Sequence, residues 1–191
     1  NNVFMQFNRI DEKTLVKLDK QNVDTGMGLE RANCILQGKT SVYLTEVFQP
    51  IIKTIEELSK YTYGTDEEKD KSVRIIADHS RSSVFILGDQ RGVTPDRVGA
   101  GYVLRRLIRR AVRHGMKLGI EESFLAKIAE TVVANFKIAY PELEQNSEKI
   151  YKELTAEEEK FRKTLLKGEA EFQKLLPNLM KNPKKIISGK V

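Results

Sequence analysis

The sequence predicts a mostly α protein with a small β part: the end of an antiparallel-sheet domain over residues 1–40, followed by an all-helical domain over 41–191. Strand-like runs are confined to the start of the chain, and helical spacing of apolar residues follows them. Hydrophobic residues make up 40% and charged residues 31% of the 191, which is typical of a folded soluble protein. At about 100–200 residues per domain, the length allows one domain and a piece of another.

The first two elements are predicted to be strands and the later ones helices. Apolar runs at 2–9 and 14–19 are separated by the polar residues 11–13, which indicates two antiparallel strands joined by a tight turn. After residue 28 the apolar spacing becomes helical, and Gly38 supplies a helix end. Further helices are predicted at about 44–60, 67–88, 101–117, 123–136 and 145–176.

The composition excludes several classes of protein. No stretch approaches the roughly 18 apolar residues that a membrane helix requires, so no membrane partner is expected. Cys34 is the single cysteine, and with two histidines it cannot complete a four-ligand zinc site, so no bound metal is expected. A reducing, cytoplasmic location follows. The chain begins inside a strand-like run without a leader, so we expect an excised piece that lacks part of its machinery.

The first segment whose residue types could bind a ligand is 24–31, Asp-Thr-Gly-Met-Gly-Leu-Glu-Arg. The glycines allow a ligand to approach the backbone, and a helix that begins here offers unpaired N–H groups. Arg31 could bind a phosphate through its planar guanidinium, and Asp24 could hold a cation. By residue type alone, an ordinary strand-to-helix turn explains this segment equally well.

The second such segment is the helix predicted at 101–117. On a helical wheel of about 100° per residue its six basic residues share one face, opposite an apolar face. Between Arg97 and Lys117 there are seven Lys or Arg residues and no acid, and like charges repel one another. This pattern favours a polyanion such as RNA over a merely solvated face. The six residues are Arg105, Arg106, Arg109, Arg110, Arg113 and Lys117.

Two further groups of residues are expected to be structural. Arg74, Asp78 and Arg81 fall on one face of the helix predicted at 67–88 and indicate salt bridges between helices rather than contact with RNA. His114 is expected to be a charge at the C-terminal end of its helix.

Four blocks of the sequence, correctly ordered within residues 3–118, resemble one enzyme family. Residues 24–31 resemble motif 3 of the class II aminoacyl-tRNA synthetases in the form typical of the alanyl-tRNA synthetase family, and 3–9 are similar to the strand before it. Residues 74–81 and 101–111 resemble the family's helical tRNA-recognition region. The resemblance implies a C-terminal remnant of a class II synthetase antiparallel-sheet domain, followed by the helical domain.

The resemblance also implies roles for individual residues in the first segment. Asp24 would bind the α-amino group of alanine, Gly26 would line the small side-chain pocket, and Asn1 would lie near it. Gly28 would lie close to ATP, and Arg31 would contact it. The implied partners are alanine, ATP with Mg²⁺ and the tRNA for alanine, with no catalytic side chain and no tightly bound cofactor in this piece. Motifs 1 and 2 are not found in these 191 residues, so the piece alone is expected to be inactive.

For the second segment the resemblance implies docking of the tRNA acceptor stem by the six basic residues and Arg97. Bacterial family members usually carry Pro-Ser-Asn where this chain has Pro95-Asp96-Arg97. Arg97 either reads the minor groove of the identifying G·U pair less selectively than Asn would, or binds a backbone phosphate. Two alternatives stay open: a stand-alone tRNA-binding helical module without ligase activity, and a helical scaffold whose arginines bind an acidic protein.

Overall fold

The computed structural model describes residues 2–181, with side chains through residue 177, and the chain divides into two compact units between Gln49 and Pro50. The predicted class, mostly α with a small antiparallel β part, is confirmed. The end of a synthetase catalytic domain near residue 40 stays a prediction. Asn1, which was expected near an alanine pocket, lies outside the described residues.

The first unit opens with an antiparallel hairpin of β1, Asn2–Arg9, and β2, Leu15–Thr25. Val3 lies opposite Asp24, and the register shifts after Met5. The second strand continues six residues beyond its predicted end at 19, because the polar residues that follow still pair with β1. Most side chains of both strands are exposed. An isolated two-stranded sheet is marginal in water, so this hairpin holds little core of its own.

The hairpin is followed by helix α1, Leu29–Leu36, and by a short 3₁₀ helix, Val42–Leu44. Gly38 ends the α1 region with a φ of 61°, a left-handed conformation that glycine adopts without strain. Cys34 is the buried residue of α1, and its Sγ donates to the carbonyl of Lys39 at 3.1 Å. The thiol is therefore part of the local packing.

The second unit is helical as far as the structure describes it, to residue 181, and five of the six helices in that part were predicted. Helix α6 is a separate short helix that the sequence prediction had merged into the loop and the last helix. It begins at Pro141, a favourable first helical position, and ends at Gln145, with Asn146 as its C-cap. The helices are α2 Gln49–Ser59, α3 Glu67–Gly88, α4 Gly99–Lys117, α5 Leu125–Phe136, α6 Pro141–Gln145 and α7 Ser147–Lys181.

Helix α3 lies at the centre of this unit and packs on α4, α5, α6 and α7. Gly115 of α4 lets the fully buried ring of Phe124 lie directly against the helix backbone, because a Cβ there would overlap the ring. The buried core of this unit is formed largely by apolar side chains of α3, α4, α5 and α7. Its fully buried members include Val73, Ile76, Val84, Leu104, Ile108, Ile128, Val132, Ile150 and Leu154.

A buried carboxylate of α7 caps the start of α5. Glu158, with a fully buried side chain, accepts hydrogen bonds from the backbone N–H groups of Phe124 and Leu125, at 3.2 and 2.9 Å. Its partner Arg162 donates to Glu158 at 3.0 Å and to the carbonyl of Glu121 at 2.8 Å. Burial raises the pKa of Glu158, while the amides and Arg162 lower it. The pair therefore joins α7 to the loop between α4 and α5.

Candidate functional site

Residues 24–31 connect the end of β2 to the first turn of α1. Asp24 accepts a hydrogen bond from the backbone N–H of Thr25 at 2.8 Å, and its carboxylate is exposed. Gly28 precedes the helix in an extended conformation, with φ −77° and ψ 129°. Its carbonyl accepts from the N–H of Ala32 at 3.0 Å, which begins the helical hydrogen bonding. The segment therefore presents a carboxylate, two glycines and a helix N-terminus together.

The two glycines of this segment are not required by the backbone. Neither Gly26 nor Gly28 has a positive φ. A Cβ added at Gly26 would meet no described atom within 4 Å, and one added at Gly28 would meet only the Arg31 side chain, at 3.8 Å or more. Glycine at such open positions is explained if a ligand approaches the backbone closely, because a side chain would then be in its way. Arg31 is exposed beside Gly28, so four of the five predicted substrate residues share this segment.

The six basic residues of α4 fall into two groups. Arg105 and Arg109, which are 20% and 26% exposed, both contact the buried carboxylate of Glu157 on α7. Their Nε atoms lie 3.2 and 2.6 Å from its Oε1. The sequence predicted an unrelieved cationic face; this is wrong at these two positions, because the carboxylate of Glu157, 52 and 48 residues further along the chain, offsets part of their positive charge. The exposed group is Arg106, Arg110, Arg113 and Lys117.

A loop holds Arg97 beside the start of this helix. The N–H of Asp96 donates to the carbonyl of Gly101 at 3.1 Å, which folds the loop against the first turn of α4. A Cβ at Gly101 would come within 2.6 Å of the carbonyl oxygen of Thr94, so only glycine allows this approach. The result is an open cavity of about 420 Å³. Its lining residues are Arg97, Tyr102, Arg105, Arg106 and Arg109.

A polar cluster lies where α3 packs on α4. Asp78 contacts the adjacent His79 at 2.9 Å, and this hydrogen bond is the main cause of a lowered pKa of Asp78. Arg81 and Arg110 add smaller electrostatic contributions. The prediction of salt bridges on α3 therefore missed the histidine, which is the nearest partner of the carboxylate.

His114 is not the helix-terminal charge that the sequence suggested. Its Nδ1 lies 3.0 Å from the hydroxyl of Ser72 on α3. Burial lowers the pKa of His114, and the nearby charges of Lys117, Arg110 and Arg113 lower it further. The imidazole is therefore expected to be neutral at pH 7, since the ordinary pKa of histidine is about 6.5.

We expect His114 to make the fold sensitive to mild acid. Because its pKa is lower in the folded state, the unfolded chain binds the proton first, and stability is lost as pH falls below about 6.5. His114→Asn should reduce this loss. The check is urea unfolding of wild type and variant at pH 7.5 and pH 5.5. An equal loss of stability in both proteins would show that another group is responsible.

Comparison with known proteins decides the family. The family model described as tRNA synthetases class II (A) matches residues 1–191. The chain belongs to the class II tRNA synthetases. It is 59% identical over 191 residues to the alanine–tRNA ligase of Treponema denticola, covering 100% of this chain and 32% of that protein. The sequence-based resemblance is confirmed.

Other relatives carry the same name. The alanine–tRNA ligase of Treponema pallidum is 47% identical over 191 residues, with 100% of this chain and 32% of the relative covered. That of Thermotoga maritima is 50% identical over 143 residues, covering 75% of this chain and 16% of the relative. The synthetase chain thus spans about a third of the length of the Treponema relatives.

Sequence reasoning missed the two acids of α7 that organise this synthetase chain. Glu157 pairs with the arginines of α4, and Glu158 caps α5. A signal was present, because both occupy the position between Leu154 and Phe161 where the apolar stripe of the helix should continue. An acid inside an apolar stripe indicates a buried partner, although it does not say which one.

Within residues 2–181 no group of three or more His, Cys, Asp or Glu side chains could hold a metal ion. In the same part of the chain, none of the helices combines the length and apolarity needed to cross a membrane.

Proposed function

We propose that this chain is part of an alanine–tRNA ligase, which activates alanine with ATP and transfers it to the 3′ end of its tRNA. The observation that carries the proposal is the 59% identity over all 191 residues to a ligase of that name. A role in translation would place the protein in the cytoplasm. A stand-alone tRNA-binding module is less well supported, because these relatives are ligases about three times as long as this chain.

The first unit is proposed to contribute to the substrate site. The exposed carboxylate of Asp24 would bind the ammonium group of alanine, and the open space at Gly26 would accommodate its methyl group. Gly28 would allow ATP to approach the backbone, while Arg31 would neutralise phosphate charge. These residues bind and orient; none of them acts as a nucleophile.

The reaction needs positioning rather than a protein nucleophile. A carboxylate oxygen of alanine would bond to the α-phosphorus of ATP, and pyrophosphate would leave with the electrons of the broken P–O bond. Magnesium bound with ATP would offset the negative charge of the phosphates.

The second unit is proposed to dock the acceptor stem of the tRNA for alanine through α4. The exposed basic side chains of this helix would bind phosphates, together with Arg97 in the preceding loop. Arg105 and Arg109 would reach the RNA from the cavity that they line. A scaffold that binds an acidic protein is the competing proposal, and salt-dependent preference for tRNA distinguishes the two.

The activation step is tested by ATP–pyrophosphate exchange with the full-length protein that contains this chain. Alanine should support exchange, whereas serine and glycine should support far less. Equal exchange with all three amino acids, or none with alanine, would contradict the proposal. The assay uses no tRNA, so its outcome concerns the first unit separately from the RNA-binding helix.

The RNA-binding face is tested by a triple replacement. Replacing Arg106, Arg110 and Arg113 by Gln should weaken binding of all tRNAs and flatten the slope of log K against log salt by about 0.9 for each lost phosphate contact. A matched control replaces the exposed Lys160, Lys163 and Lys167 of α7 by Gln, with the same change in charge. A slope equal in the two triple variants would contradict the assignment to α4.

A further inference from the structure

Glu157 is a buried carboxylate shared by two arginines. Its side chain is 8% exposed, and one oxygen, Oε1, meets both Arg105 at 3.2 Å and Arg109 at 2.6 Å. In each case the nitrogen involved is Nε, the inner nitrogen of the guanidinium. The two terminal amino groups of each arginine can therefore still donate to another partner.

Neither stability nor overall charge explains an acid at this position. An apolar residue would continue the stripe of α7, and replacing a buried ion pair by apolar residues is often neutral or stabilising. A carboxylate also lowers the positive charge of a surface proposed to attract RNA. The remaining effect of Glu157 is on the orientation of Arg105 and Arg109.

The orientation of Arg109 is fixed in two ways. Glu157 holds its Nε, and its guanidinium lies over the ring of Phe161, 5.1 Å from the ring centre. Arg106 lies similarly over Tyr102, at 5.8 Å. Arg105, Arg106 and Arg109 all line the cavity of about 420 Å³ at the start of α4. A cavity with several restrained guanidinium groups suits an anion with several acceptor oxygens.

We propose that Glu157 is a positioning residue, which holds Arg105 and Arg109 oriented for a backbone phosphate of duplex RNA entering this cavity. The proposal rests on the proposed docking of the acceptor stem by α4. Long arginine side chains lose rotational freedom when they bind, and holding them in advance reduces that loss. Glu157 therefore strengthens RNA binding although it is negatively charged.

The direction in which one substitution changes RNA affinity tests this proposal. The probe is an RNA minihelix with the acceptor-stem sequence of the tRNA for alanine, titrated with the full-length protein at several salt concentrations. Glu157→Gln should weaken binding about tenfold and flatten the salt slope by about 0.9 or more, since at least one phosphate contact is lost. Charge alone predicts the opposite, tighter binding and a steeper slope.

Glu159→Gln is the matched control, because Glu159 lies two residues away on the same helix, is exposed and undergoes the same change in charge. It should leave the affinity unchanged or slightly higher. Glu157→Asp is the second variant, because it keeps the charge but withdraws the carboxylate. It should also weaken binding, and it covers the case in which Glu157→Gln fails to fold.

A double-mutant cycle separates positioning from a general structural effect. In a protein already carrying Arg105→Gln and Arg109→Gln, Glu157→Gln should leave RNA affinity unchanged or slightly higher, as in the Glu159→Gln control. A further loss there, or tighter binding by Glu157→Gln alone, would overturn the positioning role while leaving the proposed function intact. A wild-type protein that does not bind the minihelix would overturn both.

Discussion

Replacing Glu158 by alanine is expected to lower the free energy of unfolding of the helical unit by about 3–5 kcal/mol, the usual cost of breaking a buried charge pair. The change would leave the Arg162 guanidinium, 12% exposed, without its carboxylate partner and two N–H groups at the start of α5 without an acceptor. Urea unfolding followed by circular dichroism, with hydrogen exchange at Phe124 and Leu125, measures both effects.

Glu159→Ala controls for the loss of an acid from α7, because Glu159 is adjacent and exposed. Its effect should stay within about 0.5 kcal/mol. The variant with both Glu158→Ala and Arg162→Ala should be less destabilised than the sum of the single changes, because neither charge is then left unpaired. Glu158→Ala with a loss below about 1 kcal/mol would show that the cap contributes little.

Asp24→Ala in the full-length protein is expected to reduce alanine-dependent ATP–pyrophosphate exchange by about 10²-fold. One charge-assisted hydrogen bond contributes about 1.5–3 kcal/mol, and the alanine ammonium would lose its proposed partner. Arg31→Ala should instead raise the KM for ATP. Measuring KM separately for alanine and for ATP distinguishes the two roles.

Asp19→Ala is the control for this experiment, because Asp19 is an exposed acid on the same strand, β2. It should leave both KM values unchanged. Unchanged kinetics for alanine in Asp24→Ala would show that this carboxylate does not hold the substrate.

The helices were the most predictable part of the fold. The residues of α3 and α4 keep a regular apolar spacing. The start of α3 also carries a clear capping signal, because the side chain of Asp66 caps the helix. The second strand was predicted too short, because the polar run 19–22 hides its alternation. Its pairing with β1 depends on the register of the hairpin, which a local pattern does not contain.

The residues of the candidate substrate site are contiguous, since Asp24 and Arg31 lie within one segment of eight residues. Its glycine spacing alone is also compatible with an ordinary strand-to-helix turn, so the roles come from the resemblance and stay a prediction. The sequence predicted which basic residues share a face of α4, but it did not predict the acid that pairs with two of them. A helical wheel groups the arginines, but it cannot show that Glu157 lies against two of them across the helix packing. Likewise, the neutral state expected for His114 follows from packing against α3.

The most direct test is the charging of tRNA by the full-length protein that contains this chain. The account predicts that alanine is joined to its tRNA, that Asp24→Ala reduces both exchange and charging about 10²-fold, and that the Arg106, Arg110 and Arg113 triple variant loses charging while exchange continues. A full-length protein that forms no alanyl-tRNA, or a triple variant that charges tRNA like wild type at low tRNA concentration, would contradict it.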